Sequence, residues 1–239
     1  MIFAAGLGTR MGPLTGDTPK ALVRVAGRPL LGRVMDRLVA AGAQRIIVNA
    51  SVHGDQIAAW LAANTPRGVI IALSPEPDGP YDTGGGLAAA AHLFEGPGPW
   101  MLHNVDILSR IPLEQLVREH VAAKKELGDK LVATLAVQNR ATKRRVLFND
   151  ERLVGWGAEH VPGARGPIRD VAFAGIHVVE RAFVDRAAAR AASTRTFPIR
   201  DLYMELAAEG RITRAADVSD YEWLDVGTPE RLEEAQGRV

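Results

Sequence analysis

The first half of the chain alternates short apolar runs with amphipathic stretches. Residues 1–5 (MIFAA) read as a strand that runs into a glycine-rich loop. Residues 29–41 read as a helix, because Leu30, Leu31, Val34, Leu38 and Ala41 recur at helical spacing and Gly42 ends the run. A strand at 45–49 (RIIVN), a helix at 53–63 and a strand at 69–73 (VIIAL) follow. The Pro/Gly-rich stretch SPEPDGPYDTGGG reads as a loop that feeds a helix through LAAAAHLF. Residues 100–104 (WMLHN) form a fourth strand and 112–127 a further helix. Strands alternating with helices predict an α/β fold, a mostly parallel sheet with helices on both faces.

The second half has a different rhythm. Strands are expected at 131–137 and 144–148, with a turn at Asn149, Asp150 and Glu151 leading into a hairpin partner at 153–156. A strand at 171–179 (VAFAGIHVV), helices at 181–192 and 199–209, a short strand at 223–226 and a helix from Pro229 complete the pattern. No linker, repeat or low-complexity run divides the 239 residues, so one domain is expected. In such open sheets ligands sit at the carboxyl ends of the strands.

Composition narrows the classes. A net charge of +1 with interspersed Lys, Arg and carboxylates argues against nucleic acid or a membrane surface as partner, so any anion site has to be local. No apolar run approaches the roughly 20 residues that span a bilayer. Without a cysteine, disulfides and thiolate chemistry are excluded. No signal peptide is visible and a cytoplasmic enzyme is expected. The first strand is short, which suggests further residues upstream of Met1.

The strongest chemical signal is FAAGLGTRMGPLTGDTPKAL. Ala4, Ala5, Gly6 and Gly8 leave backbone amides exposed at a strand end, where they can cradle phosphate oxygens together with Thr9. Arg10 and Lys20 add a cation on either side, as a triphosphate under attack requires. The string is neither a Walker loop nor a GxGxxG fingerprint.

GLGTRMGPLTGDTPKAL resembles the signature of the nucleotidylyltransferases that make nucleoside-diphosphate sugars. The resemblance continues, in order and across the chain, through YDTGGGLAAA, LHNVDIL, FAGIHVV, FPIRDLYMELAAEG and WLDVGTPERL. By length and by DTGGG it is most similar to the compact branch that includes N-acetylmuramate-1-phosphate uridylyltransferase. The resemblance implies a Rossmann-like sheet of the glycosyltransferase-A-like type. A nucleotide-binding part is expected at about 1–110 and a sugar-binding part at about 111–239. The implied reaction is Mg²⁺-dependent transfer of a nucleoside monophosphate from an NTP, UTP foremost, to a sugar 1-phosphate, with release of pyrophosphate.

Asp106 follows the strand WMLHN and Asp225 stands near the end of WLDV. Two carboxylates from distant strands can converge on one Mg²⁺, which prefers oxygen ligands and keeps several waters, and the resemblance puts the metal aspartates at these two positions. Each also reads as a loop or cap carboxylate. SPEPDGPYDTGGG is expected over the nucleobase, with Thr83 and Gly84 giving amides and room and Glu76 or Asp82 accepting from a base N–H; the alternative is a surface loop with Thr83 as a helix cap. The sugar phosphate is expected at Asn104, Gly175 and Asp201. Gly175 reads equally as a bulge glycine and Asp201 as a cap. His103, His120 and His177 lack metal-ligand spacing and read as structural.

Some positions depart from the family. Val105 stands where relatives often carry glycine, and His160 stands where many carry a lysine toward the sugar phosphate. His160 reads as a loop histidine. Lys143, Arg144 and Arg145 either meet an acidic group on the sugar or form a solvated strand edge. The rival readings are a mannose-1-phosphate guanylyltransferase, a cytidylyltransferase for a small phosphorylated alcohol, and a non-catalytic nucleotide-sugar binder. The few aromatics, 5% of the chain, disfavour a cage for a quaternary ammonium.

Overall fold

A computed structural model describes residues 1–150, 152–162 and 166–238. Glu151, expected in the hairpin turn, lies outside the described residues. The strands are β1 (Ile2–Phe3), β2 (Arg24–Val25), β3 (Arg28–Pro29), β4 (Arg45–Ala50), β5 (Ile70–Pro75), β6 (Trp100–Asn104), β7 (Ile107–Ser109), β8 (Leu131–Gln138), β9 (Arg145–Asn149), β10 (Arg152–Trp156), β11 (Glu159–His160), β12 (Arg169–Val179), β13 (Ile212–Asp217) and β14 (Trp223–Asp225). The α-helices are α1 (Leu30–Ala40), α2 (Gly54–Asn64), α3 (Asp82–Ala89), α4 (Leu113–Leu127), α5 (Arg181–Ala191), α6 (Ile199–Ala208) and α7 (Pro229–Gln236).

Among the described residues the main sheet runs β11-β10-β13-β8-β12-β6-β1-β4-β5, with β9 pairing both β10 and β12. The segment β6-β1-β4-β5 is parallel, as the strand–helix alternation predicts. The long strand β12 joins it to the second half by antiparallel pairing with β6 and β8. β13 then adds parallel to β8.

Alternation along each strand divides the core between two faces. Ile2, Ile46, Val48, Ala174, Ile176 and Val178 point to one side, where α1, α2, α4 and α7 pack. Phe3, Ile47, Leu102, Leu135, Val137 and Val171 point to the other, against α3, α5 and α6. Helices therefore cover both faces. Among the described residues no helix is long and apolar enough to cross a membrane.

Two elements escape the hydrophobic pattern. β7 is only three residues long and follows Asp106 directly; β14 pairs with it antiparallel as a separate ribbon. β13 reads ITRAAD, too polar and too small in its side chains to look like an interior strand, yet it lies between β8 and β10.

Candidate active site

The loop after β1 leaves the sheet at Ala4, whose amide donates to Asn49 Oδ1 at 2.8 Å. Thr9–Thr15 winds into tight 3₁₀ turns. The carbonyl of Gly8 is turned inward, accepting from the Met11 amide at 2.8 Å and from Thr15 Oγ1 at 3.0 Å. Gly6, Thr9 and Arg10 are exposed, and among the described residues no protein group accepts from the amides of Gly6, Gly8, Thr9 or Arg10. Ala5 is buried beneath them.

The β7/β14 ribbon brings the two aspartates together. Ile107 is the register partner of Asp225, and the Val226 amide donates to the Asp106 carbonyl at 2.8 Å. Lys20 is buried and its Nζ donates to Asp106 Oδ2. Arg10 approaches from the other side: a Cβ built on Gly227 would lie 2.7 Å from Asp225 Oδ1 and 2.8 Å from Arg10 Nη2. The Asp225 carboxyl is pushed above the usual carboxylate range, first by burial and then by Asp106; Lys20, Arg10 and Arg140 oppose the shift. Its Oδ1 is buried without a hydrogen-bond partner.

Arg10 and Asp225 open onto a cleft of about 880 Å³, which Asp82, Thr83, Asn104 and Gly175 also help to line; Lys20 and Asp106 are not part of its lining. Gly175 carries φ +75° at the bulge of β12, and a side chain there would meet Ile107 at 2.8 Å and the Asn104 amide at 3.1 Å. It is thus both a bulge glycine and part of the cleft floor. His177 also lines the cleft, while its Nδ1 bonds the Tyr203 hydroxyl; burial holds its ring neutral, lowering the pKa to about 3. His103 and His120 are buried, with Nδ1 on the Asn104 carbonyl and on Thr134 Oγ1 respectively.

Several expected contacts fall elsewhere. Glu76 is buried, accepting from Asn49 Nδ2 and from the Tyr81 amide, each at 2.7 Å; it holds the 76–81 turn to β4 and does not face the cleft. Gly84 does not offer its amide or its open face to a base. The amides of Gly84 and Gly85 both donate to the Phe197 carbonyl, and a Cβ on Gly84 would stand 2.4 Å from the Phe197 ring. The glycines therefore let α3 press against the 195–197 segment. Thr83 Oγ1 accepts from the Ile199 amide, tying α3 to α6. Asp201 is held by Arg190 at 3.2 Å and Arg200 at 3.5 Å and does not line the cleft. His160 is exposed in β11, outside it.

The basic run divides. Lys143 and Arg144 line the cleft, whereas Arg145 pairs with Asp170. Arg140 and Arg200 also line it; Arg200 lies within FPIRDLYMELAAEG, where Asp201 was the expected contact instead, and no motif covers Arg140. The one visible signal was cation density, four basic residues within QNRATKRR.

The carboxylate pair fits a hard divalent ion. Asp225 Oδ1 is an orphaned buried oxygen beside a second carboxylate, and Mg²⁺ accepts a few protein oxygens with water and phosphate completing the shell. Among the described residues no three His, Cys, Asp or Glu side chains cluster to enclose a metal.

An open α/β sheet with a glycine loop, two cations and two facing aspartates at the strand ends defines a phosphate-handling enzyme. The chain belongs to the Nucleotidyl transferase family, whose profile matches residues 1–239, and is a nucleotidyltransferase. It is 31% identical over 247 residues to N-acetylmuramate alpha-1-phosphate uridylyltransferase of Caulobacter vibrioides, an alignment covering 100% of this chain and 96% of the relative. Against the Neisseria meningitidis serogroup B protein of the same name it is 47% identical over 111 residues, 46% of this chain and 48% of the relative. The fold matches the inositol-1-phosphate CTP transferase from T. maritima with a TM-score of 0.75 at 18% identity, over 99% of this chain and 94% of the other.

Proposed function

We propose that this enzyme transfers uridylate from UTP to N-acetylmuramate 1-phosphate or a closely related hexose 1-phosphate, releasing pyrophosphate. The observation that carries the reading is the convergence of Asp106 and Asp225 on one ribbon, between Lys20, Arg10 and the free amides of the 6–10 loop.

The loop amides and Arg10 hold the β- and γ-phosphates, and Lys20 balances the charge that builds as pyrophosphate leaves. An acceptor phosphate oxygen attacks the α-phosphorus; a new P–O bond forms, the bond to the bridging oxygen breaks, and its electron pair departs with pyrophosphate. The acceptor is already an anion, so no side chain has to remove a proton. What the protein contributes is alignment and charge compensation. Mg²⁺ held by Asp106 and Asp225 supplies further neutralisation of the phosphates when bound.

Asp82, exposed at the first turn of α3 and lining the cleft, is positioned to accept from uracil N3–H. At the sugar end Arg140, Lys143, Arg144 and Arg200 make the cleft basic, which suits an acceptor with an acidic group besides its phosphate. The names of the two uridylyltransferase relatives support the same choice.

The test is a matrix of the common NTPs against a panel of sugar 1-phosphates at saturating Mg²⁺, reading pyrophosphate. Preference for UTP with an N-acetylated, acidic hexose 1-phosphate is expected. Preference for GTP with mannose 1-phosphate, or for CTP with a non-sugar phosphate, rejects the substrates and leaves the chemistry. Tight nucleotide-sugar binding without turnover of any pair rejects the chemistry.

A further inference from the structure

Arg140 lies in the connection after β8, and the reaction as drawn above gives it no individual task. Its guanidinium is nevertheless fixed. Cζ sits 4.0 Å from the centre of the Trp223 ring, and Nη2 donates to the Phe173 carbonyl at 3.0 Å. Trp223 in turn donates from Nε1 to the Ala174 carbonyl at 2.8 Å. Arg140 and the indole thus form one slab that fastens β14 to the bulge of β12, beside Gly175 on the cleft floor.

Alternate residues of an extended strand share a face. From β14 onward the order is Trp223 under Arg140, then Asp225, then Gly227 against Arg10. Two guanidinium groups therefore flank Asp225. One belongs to the phosphate loop. The other faces the part of the cleft that holds Gly175, Lys143 and Arg144.

The guanidinium is also under-used. Burial lowers the Arg140 pKa, with Asp225 opposing. Nε is buried without a partner, and Nη1 makes no hydrogen bond among the described residues. Holding a planar cation half out of water with donors unspent is costly unless an anion completes it. The other basic groups of the sugar end are less fixed: Lys143 and Arg144 are exposed, and Arg200 is shared with Glu159 and Asp201 at 3.5 Å each.

We propose that Arg140 receives the phosphate of the acceptor, so that cations stand on both sides of the phosphorus being transferred. This rests on the sugar 1-phosphate reading above. A stacked, forked guanidinium can keep its carbonyl bond while offering Nη1 to a phosphate; a lysine ammonium has donors for both but neither the planar stack nor the fork that fixes their directions.

The experiment is steady-state kinetics of Arg140→Gln and Arg140→Lys with the best NTP and sugar 1-phosphate of the parent. Thermal melting and the KM for Mg²⁺ are measured in parallel. Loss of one charge-assisted bond raises the acceptor KM about 10–100-fold in Arg140→Gln. Arg140→Lys recovers only part of this, and the NTP KM and Mg²⁺ requirement hold within about twofold. Pyrophosphorolysis of the nucleotide sugar, which carries no free acceptor phosphate, is impaired less in KM than the forward reaction. Equal rises in NTP, Mg²⁺ and acceptor KM, with a lowered melting temperature, would mean that Arg140 only fastens the ribbon. An unchanged acceptor KM overturns the inference and leaves the proposed reaction standing. A parent that turns over no sugar 1-phosphate removes both.

Discussion

The amide of Val226 donates to the carbonyl of Asp106 at 2.8 Å, closing the end of a two-stranded ribbon whose next rung pairs Ile107 with Asp225. Backbone bonding therefore sets the spacing of the two main-chain positions, and Lys20 holds the Asp106 carboxylate. Replacing Asp106 by Asn keeps that spacing and the side-chain shape while removing the charge. The expected outcome is a folded protein whose kcat falls by about 10²–10³-fold or more. Activity and melting measured on one preparation check it; near-normal turnover would remove Asp106 from the site.

Asp225 carries an energetic penalty. Its carboxyl pKa is raised in the fold, first by burial and then by Asp106. A raised carboxyl pKa means that the protonated form favours folding, and that this advantage is lost as pH climbs through the folded value. At neutral pH the ionised group is thus a burden in the metal-free protein. Asp225→Asn is expected to abolish Mg²⁺-dependent turnover and yet melt higher at pH 7, by about 2–4 °C for each kcal/mol relieved. The gain should shrink at acid pH, once Asp225 of the parent is protonated in both folded and unfolded chains. Mg²⁺ should raise the melting temperature of the parent and not of the variant. A variant that melts lower at pH 7 contradicts this account.

Arg10 and Lys20 separate by burial. Lys20 is buried on Asp106, whereas Arg10 is exposed in the loop. Both Ala variants are expected to lose about 2–4 kcal/mol in kcat/KM. Only Lys20→Ala should also lower stability, since it strips the partner from a mostly buried carboxylate. A defect confined to sugar-phosphate affinity would move the residue concerned to the acceptor side.

The helix-opening glycines give a purely structural test. A Cβ at position 84 would lie 2.4 Å from the Phe197 ring and 2.8 Å from its carbonyl. Gly84→Ala should cost about 1–3 kcal/mol by forced displacement of 195–197. Equilibrium denaturation measures it, and an unchanged midpoint would show that the segment yields freely.

Much of the frame was legible. The repeat of Leu30, Leu31, Val34 and Leu38 marks α1, because one-sided burial imposes a helical period, and RIIVN and WMLHN mark β4 and β6 as short apolar runs, because interior strands covered on both faces read as nearly continuous apolar stretches. The glycine loop and both aspartates stand at strand ends, where the pattern predicts a site. β7 and β13 were illegible for a physical reason. Three residues cannot display a period, and Ala215 and Ala216 fill a crowded place with little apolar bulk. Asp82, Thr83 and Gly84 read as one base-facing group, but only Asp82 and Thr83 line the cleft. Sequence cannot reveal that Phe197, more than a hundred residues away, occupies the space beside Gly84. Likewise Arg140 becomes visible only once Trp223 is seen beneath it.

Because β14 bonds to β7 and not to the ten-stranded sheet, the second carboxylate reaches the first from a strand far along the sequence. A chain folded only as far as Arg10, Lys20 and Asp106 holds half of the proposed ion site, with Asp106 paired to Lys20 and no second carboxylate. Until residues 223–225 dock, such a chain lacks the second carboxylate of the proposed centre. If Asp225 acts as proposed, turnover by a refolding sample reports docking of β14 on β7 more directly than secondary-structure recovery does.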